Sequence, residues 1–152
     1  MEITFRHYRD SDLPEISALF FNTVHTVCAK DYTKEQLSAW APDFTPYYSW
    51  QKSFEGRTVI LACCGEKILG FGDIAPNGYL DRFYIHRDFQ GRGIGSKLLR
   101  RLESTVPDQD LTLYASITAR PFFEKMGYST EEENYVVRDG VTLKNYFMRK
   151  KR

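Results

Sequence analysis

Residues 83–96 read Phe83-Tyr84-Ile85-His86-Arg87-Asp88-Phe89-Gln90-Gly91-Arg92-Gly93-Ile94-Gly95-Ser96. A strand ends, a glycine-rich loop follows, and a helix begins at once. The helix, expected over Gly93 to Glu103, sets Ile94, Leu98, Leu99 and Leu102 on one face. A helix start exposes unpaired backbone N–H groups and the positive end of its dipole. With no side chains at Gly91, Gly93 and Gly95, an anion can come within hydrogen-bond reach of that backbone. Arg87, Arg92 and Lys97 add positive charge nearby, so the pattern predicts a phosphate-type site. Two commoner phosphate motifs do not fit. A P-loop needs Gly-Lys-Ser/Thr in that order, whereas Gly95 is followed by Ser96 and then Lys97. A dinucleotide fingerprint has its third glycine one position later, and wants an acid where Leu113 and Tyr114 stand.

Outward from this loop the chain alternates strands and helices. Upstream, Tyr79 to Ile85 is a strand, and Val59 to Cys64 with Lys67 to Ile74 form a hairpin around Gly65-Glu66. Further back, Glu2 to Tyr8 is a first strand. Asp10-Ser11-Asp12 offers caps for a helix whose face is Leu13, Ile16, Phe20, Val24 and Val27. Thr33 with Gln36 is a capping box opening a short helix, Lys34 to Trp40, and a further turn or two is expected over Tyr47 to Phe54. Downstream, Leu111 to Ala115 is a strand and Thr118 to Met126 a helix. Tyr128 to Val137 and Val141 to Met148 close as a hairpin on Asp139-Gly140. This order predicts an α/β (α+β) fold: a mixed, mostly antiparallel sheet of about seven strands flanked by about four helices.

The 152 residues are 42% hydrophobic and 27% charged, which suits one domain over 1–152 with a real core. A net charge of +1 nominates neither nucleic acid nor membrane as a partner. The basic run Arg149 to Arg152 reads as a solvated tail. No apolar stretch approaches the ~20 residues that cross a bilayer, and the N-terminus lacks the apolar centre of a signal peptide. Cys28, Cys63 and Cys64 make neither a disulfide framework nor a metal knuckle, so no metal and a cytoplasmic, reducing setting are expected.

Gln90-Gly91-Arg92-Gly93-Ile94-Gly95 resembles the Gln/Arg-x-x-Gly-x-Gly/Ala signature of the GNAT acetyltransferases, and it stands five residues past the strand end, as in that family. A second landmark, Ala-x-x-Phe-Tyr-x-Lys-x-Gly-Phe, is matched by Ala119-Arg120-Pro121-Phe122-Phe123-Glu124-Lys125-Met126-Gly127-Tyr128. The resemblance spans nearly the whole chain. It implies an N-acetyltransferase that uses acetyl-CoA, with a small-molecule amine or other amino-group acceptor, as monomer or homodimer. It also implies that the main chain of Phe83 and Ile85, with Tyr84 between them, pairs with the pantetheine arm. The loop from Gln90, Gly91, Arg92, Gly93 and Ile94 to Gly95 and Ser96 would hold the pyrophosphate. Ser116 and Phe123 occupy positions beside the cofactor where many members carry Asn and Tyr.

Direct transfer from a thioester to an amine needs loss of a proton from the ammonium, polarisation of the carbonyl and protonation of the thiolate. Backbone N–H around Phe83 to Ile85 is the expected polariser. Tyr79 stands where the family often places a Glu. Asp81 lies two residues further, on the same face as Tyr79, Phe83 and Ile85 by the period-2 rule, and is a candidate base. His25, near the end of the first helix, is another. Phe123 has no hydroxyl, so the thiolate acid is open among Tyr114, Tyr128 and Tyr146. Trp40, Tyr47, Tyr48 and Trp50 are candidates to wall an amine pocket. The Phe123 and Ser116 departures also suit an alternative, a CoA-binding sensor or regulatory module with little turnover.

Overall fold

A computed structural model describes residues 1–43 and 46–152. The strands are β1 (Thr4–His7), β2 (Thr58–Cys64), β3 (Lys67–Ile74), β4 (Tyr79–Ile85), β5 (Leu111–Ser116), β6 (Ser129–Arg138) and β7 (Val141–Lys150). The helices are α1 (Leu13–Val27), α2 (Lys34–Trp40), α3 (Ser49–Ser53), α4 (Ile94–Ser104) and α5 (Arg120–Lys125). All seven strands form one sheet in the order β1-β2-β3-β4-β5-β7-β6, and only β4 and β5 run parallel.

Helices cover both faces, so two cores form. Leu13, Ile16, Phe20 and Val24 of α1 pack with Phe71, Leu37 and Phe54 on one face. On the other, Leu98, Leu99 and Leu102 of α4 lie against Leu80, Leu111 and Leu113, with Phe123 of α5 alongside. Each such buried side chain contributes roughly 1.5–3 kcal/mol of transfer free energy. The local signals act as the residue types dictate. Thr33 and Gln36 cap each other's backbone N–H at 2.9 and 3.1 Å. Asp139 and Gly140 both take positive φ, the conformation a two-residue hairpin turn with the strands' own twist requires.

Two local expectations are overturned. Asp12 does not cap α1; its carboxylate takes both Arg6 guanidinium nitrogens at 2.8 Å and the Arg9 amide. The basic C-terminus is docked rather than solvated. Arg149 meets Glu131, Lys150 meets Glu103, and Arg152 donates to the carbonyls of Glu103, Val106 and Gln109. Arg149 and Lys150 are thus paired with carboxylates, while Lys151 and Arg152 stay exposed.

The pairing that shapes the active face is short. β4 and β5 are in register only at Tyr79↔Thr112 and Leu80↔Leu113, after which they diverge. Gly78 stands at the base of this fork with φ +90°, and its carbonyl accepts the Thr112 amide at 3.1 Å. A Cβ there would lie 2.1 Å from the Asp110 carbonyl oxygen. On its other side β4 carries a bulge: Arg82 opposes Asp73 and Leu80 opposes Ile74, leaving Asp81 as the extra residue. The bulge breaks the period-2 reading. Tyr79 and Asp81 face the α1 side of the sheet with Tyr84, whereas Phe83 and Ile85 pack into the α4 core.

Gly78→Ala should lower stability by about 2–4 kcal/mol, since it adds both positive-φ strain and a backbone clash. Denaturant unfolding checks this; an unchanged midpoint would show that the fork is pinned elsewhere.

Candidate active site

The diverging strands open a cleft of about 440 Å³. Leu80, Phe83 and Ile85 line one side, Leu113 to Ser116 the other, and the loop of Gln90 to Ser96 closes its end. Gly91 and Gly93 hold φ of +71° and +80°, and a Cβ built on either meets nothing within 4 Å. Side chains are disfavoured there by backbone conformation rather than by lack of space. Gly93 begins α4 with no side-chain cap, and the first turn carries no acidic residue. The Lys97 amide makes the first helical bond, to the Gly93 carbonyl. The amides of Ile94, Gly95 and Ser96 therefore precede the ladder, as donors with no helical partner. Gly95 serves differently: a Cβ there would crowd the Phe122 ring at 3.3 Å.

The loop is held from within. The Asp88 amide donates to His86 Nδ1 at 3.1 Å, and Gln90 Nε2 donates to the Ile85 carbonyl at 2.7 Å. Burial, helped by Lys67, pushes the His86 imidazole below its usual range. Lys67 and Arg92 both lie over the Phe89 ring, within 5.3 Å, holding cations near the helix head.

Along β4, pairing with β3 turns every second residue's N–H and C=O outward. The Ile85 carbonyl is one of these, and it is taken by Thr23 Oγ1 at 3.0 Å as well as by Gln90. Phe83 shares that outward direction where β5 has moved away. Tyr84 between them packs its ring on Phe20 and Phe71, and burial pushes its phenol far up. Ser116 Oγ accepts the Ala119 amide, tying the end of β5 to the start of α5. Phe123 sits under the cleft among Phe83, Phe122 and Tyr128.

A second cavity of about 340 Å³ adjoins the first on the α1 side, and Trp40, Asp81, Tyr84, Tyr114 and Ser116 line both. Asp81 is presented by an ionic network. The fully buried Asp73 holds Arg57 at 3.0 Å and Arg82 at 3.1 Å, and Arg57 reaches on to Asp81 at 2.7 Å. Arg82 is itself clamped by Ser53 and lies over Trp50 and Phe54. Burial pushes the Asp73 carboxyl up even beside two guanidiniums. Both arginines meet Asp81 at Oδ2, and Oδ1 accepts no hydrogen bond among the described residues. Tyr79 lines the second cavity, its phenol pushed up to about 12 by burial, with the Asp81 charge adding.

Other candidates lie elsewhere. His25 bonds the Ala41 carbonyl at 2.7 Å, stacks on Phe21 and lines neither cavity. Tyr47 and Trp50 pack on Phe20, Tyr48 is exposed, and Trp40 alone of those four aromatics reaches the cavities. The Tyr128 hydroxyl donates to Glu103, and Tyr146 is buried beneath Arg120. Tyr114 is the tyrosine of that set that borders both cavities. The Arg57–Asp73–Arg82 network and Thr23 escaped the sequence reading. Asp73 had a signal, a carboxylate inside the apolar run Lys67–Ile74; Arg57 and Thr23 had none. Among the described residues no three His, Cys, Asp or Glu converge as metal ligands, and no helix is long and apolar enough to cross a membrane.

The fold is shared with known proteins. Residues 28–150 match the acetyltransferase (GNAT) domain family. An uncharacterized N-acetyltransferase, YafP of Escherichia coli, is 30% identical over 149 residues, covering 98% of this chain and 96% of the relative. A GCN5-related N-acetyltransferase from Rhodopseudomonas palustris superposes with a TM-score of 0.91 at 28% identity, over 100% and 97% of the two chains. The PaiA N-acetyltransferase of Thermoplasma acidophilum, solved with coenzyme A, superposes at 0.79 with 20% identity over 100% of both. The chain belongs to the GNAT family and is an acetyl-CoA-dependent acyltransferase. Its residues fit that donor: the positive-φ glycines leave a cradle that a Cβ would fill, in front of amides with no helical partner.

Gly93→Glu puts a carboxylate and a strained side chain into this cradle. Acetyl-CoA affinity should fall by more than about tenfold by calorimetry, with cooperative melting retained. Equal affinity would remove the loop from the donor site.

Proposed function

We propose that the chain moves the acetyl group of acetyl-CoA to the amine of a small-molecule acceptor by direct attack in a ternary complex. The observation that supports this most is the meeting of two cavities at Asp81 and Tyr114. One ends on a phosphate-type helix head and the other is walled by polar and aromatic side chains. The Thermoplasma PaiA protein, which shares the fold, was solved with coenzyme A, and this agrees with a coenzyme A donor here.

Acetyl-CoA supplies the acetyl group as an activated thioester; the chain binds, orients and moves protons. The amides of Gly91 to Ser96 take the pyrophosphate, as a helix head favours anions. Phe83, with outward main-chain groups and no β5 partner at its level, pairs with the pantetheine arm. Ile85 is left its amide, because its carbonyl is already held by Thr23 and Gln90. The outward amides at this edge polarise the thioester carbonyl. Asp81 Oδ1 accepts the proton of the attacking ammonium, directly or through water, while Arg57 fixes the carboxylate through Oδ2. Tyr114, at the shared mouth, protonates the leaving thiolate in place of the hydroxyl that Phe123 lacks. Tyr79 packs beside Tyr114 at 6.2 Å and orients it. Unpaired Cys28, Cys63 and Cys64 suit a reducing, cytoplasmic setting.

Asp81→Asn should lower kcat/KM by about 10²-fold and Tyr114→Phe by about tenfold, with acetyl-CoA affinity retained in both. Thiol-release kinetics beside calorimetry check this. Wild-type turnover in Asp81→Asn would remove it as the base, and acetyl-CoA binding without thiol release over a broad amine panel would favour a sensor.

A further inference from the structure

Resting on the reading that acetyl-CoA fills the forked cleft, we infer that the acceptor is an amino acid or short amino-carboxylate, whose carboxylate is received by Arg138. The charges of the second cavity carry this. Asp81 on β4 offers Oδ1 at the mouth shared with the cleft. Arg138 on β6 lines the same cavity, and its guanidinium makes no hydrogen bond or ion pair among the described residues. Lys144 also lines it, but its charge is matched by Glu133 at 3.3 Å. The cavity thus presents a carboxylate oxygen of Asp81 with no hydrogen bond and a guanidinium with no carboxylate partner among the described residues.

Topology sets them apart. β5 and β7 lie between β4 and β6, so their carriers are three strand spacings apart, about 14 Å across the sheet, and they are offset along it too, since Leu80 is level with Met148 and Arg138 with Val141. Both residues line a cavity of about 340 Å³, room for one small molecule. The register puts Arg138 on the cavity's face, four residues beyond the mouth. Asn134 opposes Asn145, itself opposite Ser116 at the mouth, and Asn134, Val136 and Arg138 follow at period two on the cavity face.

An amine with a carboxylate answers both charges. Its ammonium meets Asp81 and the faces of Trp40 and Tyr114, and its carboxylate takes a forked pair from Arg138. A diamine would set its second ammonium against Arg138. A plain alkylamine would leave that guanidinium unmatched, at little cost because it is exposed. The preference for the carboxylate should therefore be about tenfold or somewhat more, as for a partly solvated charge-assisted pair.

The test measures kcat/KM for matched pairs, an amino acid against the amine with its carboxylate removed (phenylalanine and phenethylamine, leucine and isopentylamine, lysine and cadaverine). Wild-type protein should favour the amino acids by about tenfold or more, and Arg138→Gln should bring the ratio toward one, mainly through KM. Arg138→Glu should turn the preference toward the diamine. Equal or better turnover of the decarboxylated amines, or an Arg138→Gln effect that leaves the ratio unchanged, overturns the inference. Acetyl-CoA binding, measured in parallel, keeps the two readings apart. Binding and turnover without regard to the carboxylate sink the acceptor class alone, whereas absence of acetyl-CoA binding sinks the donor site as well. If the donor binds and no acceptor reacts, amino acids are titrated into the CoA-loaded protein, and heat that does not depend on the carboxylate overturns the inference.

Discussion

Two residue pairs of parallel strand govern this molecule. Where β4 and β5 meet, at Tyr79–Thr112 and Leu80–Leu113, the sheet is continuous, and one residue later it begins to part. Gly78 brings the strands together at the base because nothing larger fits beside the Asp110 carbonyl. Above that point β4 is bulged at Asp81 and anchored to α1 through Thr23, while β5 follows β7. A sheet that stayed paired would satisfy its own backbone and present no edge. Parting the strands leaves main-chain groups of β4 in need of a partner, and an extended ligand arm is the kind of partner such an edge accepts.

The bulge also decides which chemistry faces which cavity. One extra residue turns Tyr79 and Asp81 toward the α1 side and sends Phe83 and Ile85 into the α4 core. The same strand thereby supplies polar groups to one cavity and an apolar wall to the other. Beneath it, Asp73 is fully buried and satisfied by two arginines. An unpaired carboxylate at that depth would be strongly destabilising, and a single arginine would leave lone pairs unsatisfied. The surplus positive charge passes along Arg57 to Asp81, which is held by one oxygen and open at the other.

The loop and the fork are independent solutions to separate demands. The loop depends on local backbone: positive φ at Gly91 and Gly93 and an uncapped helix start. The fork depends on contacts between residues far apart in the chain. Their adjacency puts a phosphate-type cradle and a free strand edge in one continuous cleft, which distinguishes this site from a nucleotide cradle alone.

The chain itself determined what is local. Helix and strand periods, the Thr33–Gln36 box, the Asp139-Gly140 turn and the glycine loop each depend on residues within a few positions, where propensity and periodicity act directly. Tertiary structure decided the rest. Asp12 left its capping place because Arg6, brought across by β1, binds it better. The basic terminus docked because Glu103, Asp110 and Glu131 gather around β7. His25, Tyr47 and Trp50 went to packing and Tyr48 to the surface, since burial is decided by what the opposite element presents. The bulge at Asp81 inverted a period-2 argument because a register shift shows only when two strands lie side by side. Arg57, Asp73 and Arg82 became one network for the same reason: charges far apart in sequence meet only once the sheet has closed.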